Sequence, residues 1–324
     1  MKKFIVRFLV WLSIPFVLAY GVDYMISSGL RKTDLRKYAA WNDIYSGELH
    51  PDLVAVGSSR VWMGYNTYIL DSMLNINSYN LGLNGHYIDF QIIRYETFRR
   101  FNVKPKVMLM NTDFLSTFGI TADSEYEREQ FFPYFFDDTL VSMVADAKKI
   151  TWIDRHLPLV RYFGYRDEFE WGMESFFGRR DFFDGGMYKG YRGEDRIFDR
   201  GPLLSKDTVL IAWADNKAVK MLDEFAENSV REGVKVVFVK SPVYYLLSEK
   251  IRNVIEIDSI FETIARKHSI PVLDYYNSTI SFDSTNFESP GHLNKKGSEV
   301  FTIQLCRDID SLQIFGDSEK KENK

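Results

Sequence analysis

The chain has 324 residues, of which 45% are hydrophobic, 27% charged and 16% aromatic. This is the composition of a globular protein with a large core and many aromatic rings. The net charge of -4 gives nucleic acid no general attraction, so nucleic acid is not expected as a partner. The single cysteine, Cys306, excludes an internal disulfide and a cysteine-based zinc site. Its apolar helical surroundings predict a buried, inert thiol.

The first 28 residues differ from the rest of the chain. Three basic residues precede an apolar run from Phe8 to Tyr20, and only Asp23 interrupts its extension to residue 26. A membrane-spanning helix needs roughly 20 apolar residues. Residues 1–28 are therefore predicted to be an N-terminal membrane anchor. The short basic tail favours an extracytoplasmic location for the remaining chain, in the periplasm or at the cell surface.

Two other interpretations of this segment stay open. Ala19 and Gly21 are small residues two positions apart, so cleavage after Gly21 would make the segment a signal peptide. The segment could also be a helix buried in the fold. Residues 29–50, which follow, are polar and are predicted to be a linker.

Five short apolar segments have the composition of buried β-strands, each bounded by polar, glycine or proline residues. They are Leu53–Gly57, Ser78–Leu83, Lys106–Asn111, Val234–Lys240 and Ile270–Asp274. Helical patterns occupy residues 62–74, 87–101, 207–232, 248–268 and 295–312. This alternation predicts an α/β fold in which helices cover both faces of a parallel sheet, built from residues 51–114 and 206–315.

Residues 115–205 interrupt this alternation and are rich in aromatic side chains, as in "FFPYFF" at 131–136. They are predicted to be a long insertion after the third strand. Its aromatic rings form either the core of a packed subdomain or the lining of a sugar-binding lid, since sugars also stack on aromatic faces. Residues 316–324 are predicted to be a disordered tail.

Three short motifs follow predicted strands, where parallel sheets bind their ligands. Ser58 and Ser59 end the first strand and open a helix, where free N–H groups stabilise negative charge. Gly82 ends the second strand, and His292 lies in a loop beyond the last one. A serine with a histidine base would perform acyl transfer. The structural alternative for the two serines is a turn that caps the helix.

Together these residues resemble the SGNH/GDSL hydrolase superfamily. The closest resemblance is to its membrane-anchored Gly-Ser-Ser branch, which includes DltD- and AlgJ/AlgX-like proteins of polysaccharide acyl transfer. The motifs that carry it are Gly57-Ser58-Ser59, Gly82 and "HLNKKG" from His292 to Gly297. The resemblance implies a three-layer, flavodoxin-like fold with a five-stranded parallel sheet in the order 2-1-3-4-5.

The resemblance also implies roles for individual residues. Ser59 matches the nucleophile and His292 the general base, while the N–H groups of Ser59 and Gly82 match the oxyanion hole. Asn111, in "MNTDF", is a candidate for the third oxyanion donor, although its frame differs from the family pattern by one or two residues. Asn84 is a second candidate for that donor.

The catalytic acid departs from the family pattern. The family places aspartate three residues before the histidine, where this chain has Ser289. A carboxylate would orient the imidazole and stabilise its charged form. Three interpretations follow: a Ser-His dyad, a triad completed by Glu288 or Asp283, or a lapsed site.

The resemblance implies an O-acyl esterase or O-acetyltransferase that acts on an envelope or exported polysaccharide. The expected partners are an acylated polysaccharide or acyl donor, a membrane-bound O-acyltransferase, and the membrane itself. No metal or cofactor is expected, because the chain has no phosphate-loop pattern and no cluster of histidines and cysteines. The alternative is a catalytically lapsed protein that binds glycan or assists a membrane acyltransferase.

Overall fold

The computed structural model describes residues 2–114, 117–121, 126–179, 187–199 and 209–315. The predicted tail, 316–324, lies outside the described residues. The chain divides into two compact units. The helical unit comprises Met1–Tyr45 and Ala122–Gly185, and the α/β unit comprises Ser46–Thr121 and Gly186–Lys324.

The strands and helices are numbered here in chain order. The strands are β1 (Leu53–Val56), β2 (Ser78–Asn80), β3 (Val107–Asn111), β4 (Lys235–Lys240), β5 (Val272–Asp274), β6 (Phe287–Ser289) and β7 (His292–Leu293). The α-helices are α1 (Lys2–Leu30), α2 (Arg36–Ser46), α3 (Ser59–Gly64), α4 (Thr67–Leu74), α5 (Ile88–Phe101), α6 (Asp138–Val144), α7 (Trp152–His156), α8 (Arg166–Phe176), α9 (Asn216–Arg231), α10 (Tyr245–Ser248), α11 (Val254–His268) and α12 (Lys295–Ser311).

The main sheet of the α/β unit has five parallel strands in the order β2-β1-β3-β4-β5. This confirms the predicted sheet and its strand order. Every residue of β1 and β3 is buried, as expected when helices cover both faces of a parallel sheet. Cys306 is buried in the adjoining core, and burial raises the pKa of its thiol to about 12.

Three helices of the α/β unit differ from their predicted bounds. The helix predicted over 248–268 begins only at Val254. The helix predicted over 62–74 is two helices, because Asn66 starts a new one by accepting hydrogen bonds from the N–H groups of Tyr68 and Ile69. The helix predicted over 207–232 begins only at Asn216, after the capping residue Asp215. It ends as predicted just before Gly233. The φ of Gly233 is +84°, a backbone conformation that glycine adopts at little energetic cost and other residues do not.

In the helical unit, α1 packs against α8 through two glycines. A Cβ atom on Gly29 would lie only 1.7 Å from the carbonyl oxygen of Gly172, so neither helix could approach the other with a larger residue there. Asp23 of α1 is buried and forms an ion pair with Arg161. The C-terminal part of α1 therefore belongs to the packed interior of this unit.

The aromatic residues of the predicted insertion form much of the core of the helical unit. Phe131, Phe132 and Tyr134 are fully buried, and Trp41 packs edge-on against Phe131. This packing corresponds to the subdomain interpretation of those aromatic rings.

The observed division of the chain differs from the predicted domain bounds in two places. α1 extends past the predicted end of the anchor, and α2 occupies half of the predicted linker. The helical unit takes residues 122–185 of the predicted insertion, whereas residues 187–199 belong to the α/β unit. Among the described residues, none of the helices has a stretch both long and apolar enough to cross a membrane.

Candidate active site

The two adjacent serines after β1 have different roles. Gly57 allows Val61 of the next helix to pack closely against the end of the strand, because a Cβ there would lie 2.4 Å from the Val61 side chain. Ser58 is the N-cap of α3, and its hydroxyl accepts a weak hydrogen bond, 3.4 Å long, from the Arg60 N–H. The capping requirement is met by Ser58, which leaves the partly exposed Ser59 hydroxyl available for chemistry.

His292 reaches Ser59 from a short hairpin. Strands β6 and β7 pair antiparallel around Pro290 and Gly291, with Ser289 directly opposite His292. The Ser59 Oγ lies 2.9 Å from the His292 Nε2, and the Ser289 Oγ lies 3.0 Å from its Nδ1. The structure therefore places the imidazole between two serine hydroxyls, both within hydrogen-bond distance.

The residues after His292 fix the hairpin to the last helix. The Asn294 side chain accepts a hydrogen bond of 2.9 Å from the Gly297 N–H and so caps α12. Gly297 is required there, because a Cβ would lie 1.9 Å from the carbonyl oxygen of Asn286. The "HLNKKG" motif thus combines a candidate base with the cap and the close approach that hold it in place.

The two predicted substitutes for the acid lie elsewhere. Glu288 precedes Ser289 on β6, at a bulge in the pairing with β7. Its Oε2 lies 4.0 Å from the Arg196 Nε, and burial raises the pKa of its carboxyl group. Asp283 caps a 3-10 helix by accepting hydrogen bonds from Thr285. Among the described residues, Ser289 is the hydrogen-bond partner found for the His292 Nδ1.

A serine at this position controls the imidazole less tightly than a carboxylate would. To act as a base, the His292 Nε2 must be unprotonated, with the proton on Nδ1 donated to Ser289. A carboxylate can only accept and would enforce that tautomer, whereas a hydroxyl can also donate and so permits the other one. Ser289 can therefore orient the ring, but it does not determine which nitrogen carries the proton.

The electrostatic surroundings also disfavour a charged imidazole. Burial lowers the pKa of His292 to about 4, Arg60 lowers it further and Asp113 opposes both effects. Neutral His292 is consequently present over most of the range in which a base would work. The imidazolium formed during proton transfer would be stabilised poorly.

A buried polar network lies next to the candidate nucleophile. The Arg60 guanidinium donates to the backbone carbonyl groups of Ser241 and Pro242 at 2.8 and 2.9 Å, and its Nη1 lies 3.8 Å from Asp113. Asp113 in turn accepts a hydrogen bond of 2.6 Å from Asn111. The Arg60 and Asp113 side chains are 3% and 0% exposed, so each charge depends on the other for compensation.

This network occupies the Asn111 side chain, the first candidate for the third oxyanion donor. Its amide nitrogen donates to Asp113, and its oxygen accepts hydrogen bonds from Tyr65 and Ser241. Asn111 is also 1% exposed. Asn84, the second candidate, is partly exposed, and its backbone carbonyl oxygen lies 2.6 Å from the His86 Nδ1.

The two predicted backbone donors differ in their present partners. Ser59 begins α3, where backbone N–H groups have no acceptor within the helix. The Gly82 N–H instead donates to the Asn80 side chain at 2.9 Å, and the Gly82 carbonyl accepts from Arg94 at 2.7 Å. Gly82 packs against the backbone of Trp62, where a Cβ would clash at 2.4 Å. An oxyanion would have to compete with Asn80 for the Gly82 N–H.

Sequence reasoning missed Arg60, Asp113 and Ser241. Each follows the end of a strand of the main sheet, at β1, β3 and β4 respectively. Their positions after buried strands were a usable signal, because the carboxyl ends of parallel strands meet at one edge of the sheet. Among the described residues, no three His, Cys, Asp or Glu side chains are grouped so that they could hold a metal ion.

Comparisons with known proteins add little to this geometry. No protein-family model matches the sequence, and no curated protein does. The structure is similar to a candidate acylhydrolase from Bacteroides fragilis, with a TM-score of 0.37 and 11% sequence identity. That similarity covers 80% of this chain and 86% of the other, and it is too distant to bear on activity.

Proposed function

We propose that the chain is a serine-dependent acyl-ester hydrolase or O-acyltransferase of the SGNH type. The observation that carries this proposal is the distance of 2.9 Å between the Ser59 Oγ and the His292 Nε2. The two residues are 233 positions apart in the sequence and come from different elements. A separation of this size requires the fold to bring them together, whereas a simple capping turn would need only Ser58.

The proposed reaction has two steps. The Ser59 oxygen attacks the acyl carbonyl carbon while its proton passes to the His292 Nε2, and the oxyanion accepts a hydrogen bond from the Ser59 N–H. The ester bond then breaks, and the departing alcohol takes the proton from His292. In the second step, water or another hydroxyl attacks the acyl carbon and gives its proton to the His292 Nε2. The bond to the Ser59 oxygen then breaks and Ser59 takes that proton, which leaves an acid with water and a new ester with a hydroxyl.

The proposed substrates are O-acetylated polysaccharides of the envelope or exported glycans, on the basis of the family resemblance. The full chain should release acetate from a small acetyl ester through an acetylated Ser59, which mass spectrometry would detect as a covalent adduct. Acetylated oligosaccharides should compete with that ester, and unmodified ones should divert the acetyl group from water. A rate unchanged in Ser59→Ala would contradict the proposal.

The proposed location is extracytoplasmic, with the chain attached to a membrane through its first residues. Several large apolar side chains in the first two-thirds of α1 are exposed, including Trp11, Phe16, Val17 and Leu18. Exposed apolar surface of this kind is typical of interaction with a membrane or a partner. Extraction of the native chain by carbonate, without detergent, would contradict this membrane attachment.

A second candidate function is a glycan-binding or accessory protein that performs little chemistry. Two observations favour it: Ser289 replaces the acid, and the Gly82 N–H is already bonded to Asn80. This candidate predicts that acetylated oligosaccharide binds with equal affinity to the wild type and Ser59→Ala, while neither forms an acetyl-serine.

A further inference from the structure

The helical unit contains a cavity of about 470 Å³, within the size range of small-molecule sites. It lies entirely between elements of that unit. Three arginines line it, Arg31, Arg155 and Arg161, together with a single carboxylate, Asp23. The cavity therefore has an excess of positive charge that the sequence as a whole, with its net charge of -4, does not have.

Arg31 supplies a cation that no described carboxylate neutralises. Its Nη1 donates to the Pro133 carbonyl oxygen at 2.5 Å, and its Nη2 donates to the Ser28 hydroxyl at 3.1 Å. Both acceptors are neutral, so they hold the guanidinium in position without cancelling its charge. The group also lies over the Phe136 ring, 5.3 Å from its centroid.

Arg155 and Arg161 keep unused hydrogen-bonding capacity. Arg161 is paired with Asp23, and Arg155 is paired with Asp138, whose side chain is 87% exposed. Pairs that include such an exposed carboxylate contribute little. Within the described part of the chain, the buried Nε of each arginine has no hydrogen-bond partner. The protein therefore satisfies each of these guanidinium groups only in part.

The remaining wall is apolar and aromatic. It includes Phe132, Phe135 and Phe136, with Leu157 and Pro158 beside them. The Arg161 guanidinium lies 5.3 Å from the centroid of the Phe135 ring, so cationic and aromatic surfaces adjoin each other. A ligand that fits both surfaces must combine an anionic group with an apolar body.

We propose that this cavity binds a phosphorylated amphiphile, with its phosphate monoester on the arginines and its hydrocarbon part on the aromatic wall. A phosphate monoester carries about two negative charges near neutral pH. It also accepts the paired hydrogen bonds that guanidinium groups donate. Arg31 has only neutral acceptors, and the carboxylate paired with Arg155, Asp138, is exposed and can turn away to solvent. The lining can therefore present up to two positive charges, which match a phosphate monoester better than the single charge of a fatty acid. The proposal does not depend on acyl transfer at Ser59.

The test is calorimetric titration of the full chain with hexyl phosphate, using hexanol and inorganic phosphate as partial ligands. We expect hexyl phosphate to bind more tightly than either one. Arg31→Gln should weaken its binding at least tenfold. Arg166→Gln is the matched control, because it removes the same charge from a side chain of the same unit that is 86% exposed and outside this cavity. It should leave binding within twofold.

A second variant keeps the test valid if Arg31→Gln fails to fold. Phe136→Ala removes the ring beneath Arg31 while keeping every charge, and Phe136 is 62% exposed, so its loss leaves the core intact. This variant should bind hexyl phosphate severalfold more weakly and bind inorganic phosphate with unchanged affinity. The absence of saturable hexyl phosphate binding, or equal losses in Arg31→Gln and Arg166→Gln, would overturn the proposal.

Such a ligand could be a membrane lipid or a soluble molecule, and binding to lipid vesicles distinguishes the two. If phosphatidic acid in phosphatidylcholine vesicles increases binding of the wild type but not of Arg31→Gln, the ligand is a membrane lipid. If hexyl phosphate binds in the Arg31-dependent way while phosphatidic acid gives no increase, the ligand is a soluble phosphorylated amphiphile. Each result supports the cavity as the binding site. Helix α1 has the same sequence in the wild type and in Arg31→Gln, so any binding of α1 itself to the vesicles is the same in both.

Discussion

The α/β unit and the helical unit both bury charged side chains, but they do so under different conditions. In the α/β unit, Arg60 and Asp113 are almost completely removed from solvent, at 3% and 0% exposure, and lie 3.8 Å apart. In the helical unit, Lys37 keeps 23% of its side-chain surface exposed and contacts Glu129 and Glu168 at 2.5 and 2.9 Å. The second arrangement has shorter contacts and partial solvation.

This difference in burial and contact distance indicates which charged side chains stabilise the fold and which belong to the candidate active site. A buried pair with a long contact is costly, since its attraction repays little of the desolvation. Such a pair next to Ser59 and His292 is the arrangement expected where function determines which charges are buried. The ion pairs of Lys37 with Glu129 and Glu168 in the helical unit are explained by packing between helices alone.

The largest expected effect tests the division of roles between the two serines. Ser59→Ala should lower the hydrolysis of a small acetyl ester on the order of 10³-fold or more, because the nucleophile is lost. Ser58→Ala should keep the activity within a few-fold and destabilise the α/β unit by about 1 kcal/mol, because it removes only a helix cap. Steady-state rates and thermal unfolding measure these effects. Equal activity losses in both variants would contradict the assignment.

The second prediction compares the buried charges of the two units. Asp113→Ala should destabilise the α/β unit by about 3–5 kcal/mol, because it leaves Arg60 charged and uncompensated in the interior. Lys37→Met should cost the helical unit less, about 2 kcal/mol, because it leaves Glu129 and Glu168 without their cation but lets water into the space that the partly exposed lysine vacates. Hydrogen–deuterium exchange of peptides from each unit would report the two effects separately. Similar losses of protection would remove the contrast between the units.

The third prediction concerns the packing of the helical unit. Gly29→Ala should destabilise the contact of α1 with α8 by about 1–3 kcal/mol, because its new Cβ would overlap the Gly172 backbone. Gly21→Ala is the matched control in the same helix, since a Cβ there meets no atom within 4 Å. Exchange of the α8 amides should rise in the first variant and stay unchanged in the second. Equal exchange in both would show that the two helices do not depend on the glycine contact.

The smallest expected effect concerns Ser289. Ser289→Asp should raise the pKa of His292 by about a unit or more and increase ester hydrolysis up to about tenfold, because a carboxylate fixes the tautomer and stabilises the imidazolium. Glu288→Gln should change the rate less than twofold, since the His292 Nδ1 is bonded to Ser289 and the Glu288 carboxylate lies beside Arg196. A large loss in Glu288→Gln, with no gain in Ser289→Asp, would mean that Glu288 completes the triad after rearrangement.

The same pKa determines the pH dependence of the wild type. The folded-state pKa of His292, about 4, lies below the ordinary value of 6.5, so folding favours the neutral ring. Its contribution to stability is complete above about pH 6.5 and is lost as the pH falls towards 4. Hydrolysis should therefore stay nearly constant from pH 7 to about 5 and fall near pH 4. An acid limb centred near pH 6.5 would contradict the lowered pKa.

Much of the α/β unit could be predicted from local sequence. Short apolar segments, capping residues and Gly233 identify the strands and most helix ends, because each depends on neighbouring residues. The helix break at Asn66 also had a local signal, the capping asparagine, which was outweighed by the continuous apolar pattern. The aromatic pattern of the insertion could not show that residues 1–45 pack with residues 122–185, because that pairing depends on contacts between distant segments.

The candidate site, like the α/β unit, was predictable where it depends on local sequence and not where it depends on packing. The position of Ser59 after a strand and that of His292 after a Pro-Gly turn are local features of the sequence, but the structure places His292 on strand β7 rather than in the predicted loop. The position of Glu288 depends on a bulge between β6 and β7, an irregularity of pairing that the local sequence does not show. The Asn80 side chain that engages the Gly82 N–H, and the burial of Asp113 against Arg60, depend on packing that no local pattern encodes.

The measurement that tests the central claim most directly is labelling of the full chain with a fluorophosphonate, followed by peptide mapping. The account predicts one adduct, on Ser59, that forms at similar rates at pH 5.5 and 7.5 because His292 is neutral at both. The adduct should persist in Ser58→Ala and disappear in Ser59→Ala and His292→Ala. Labelling of another residue, or an unlabelled Ser59 in a folded chain, would contradict Ser59 as a nucleophile activated by His292.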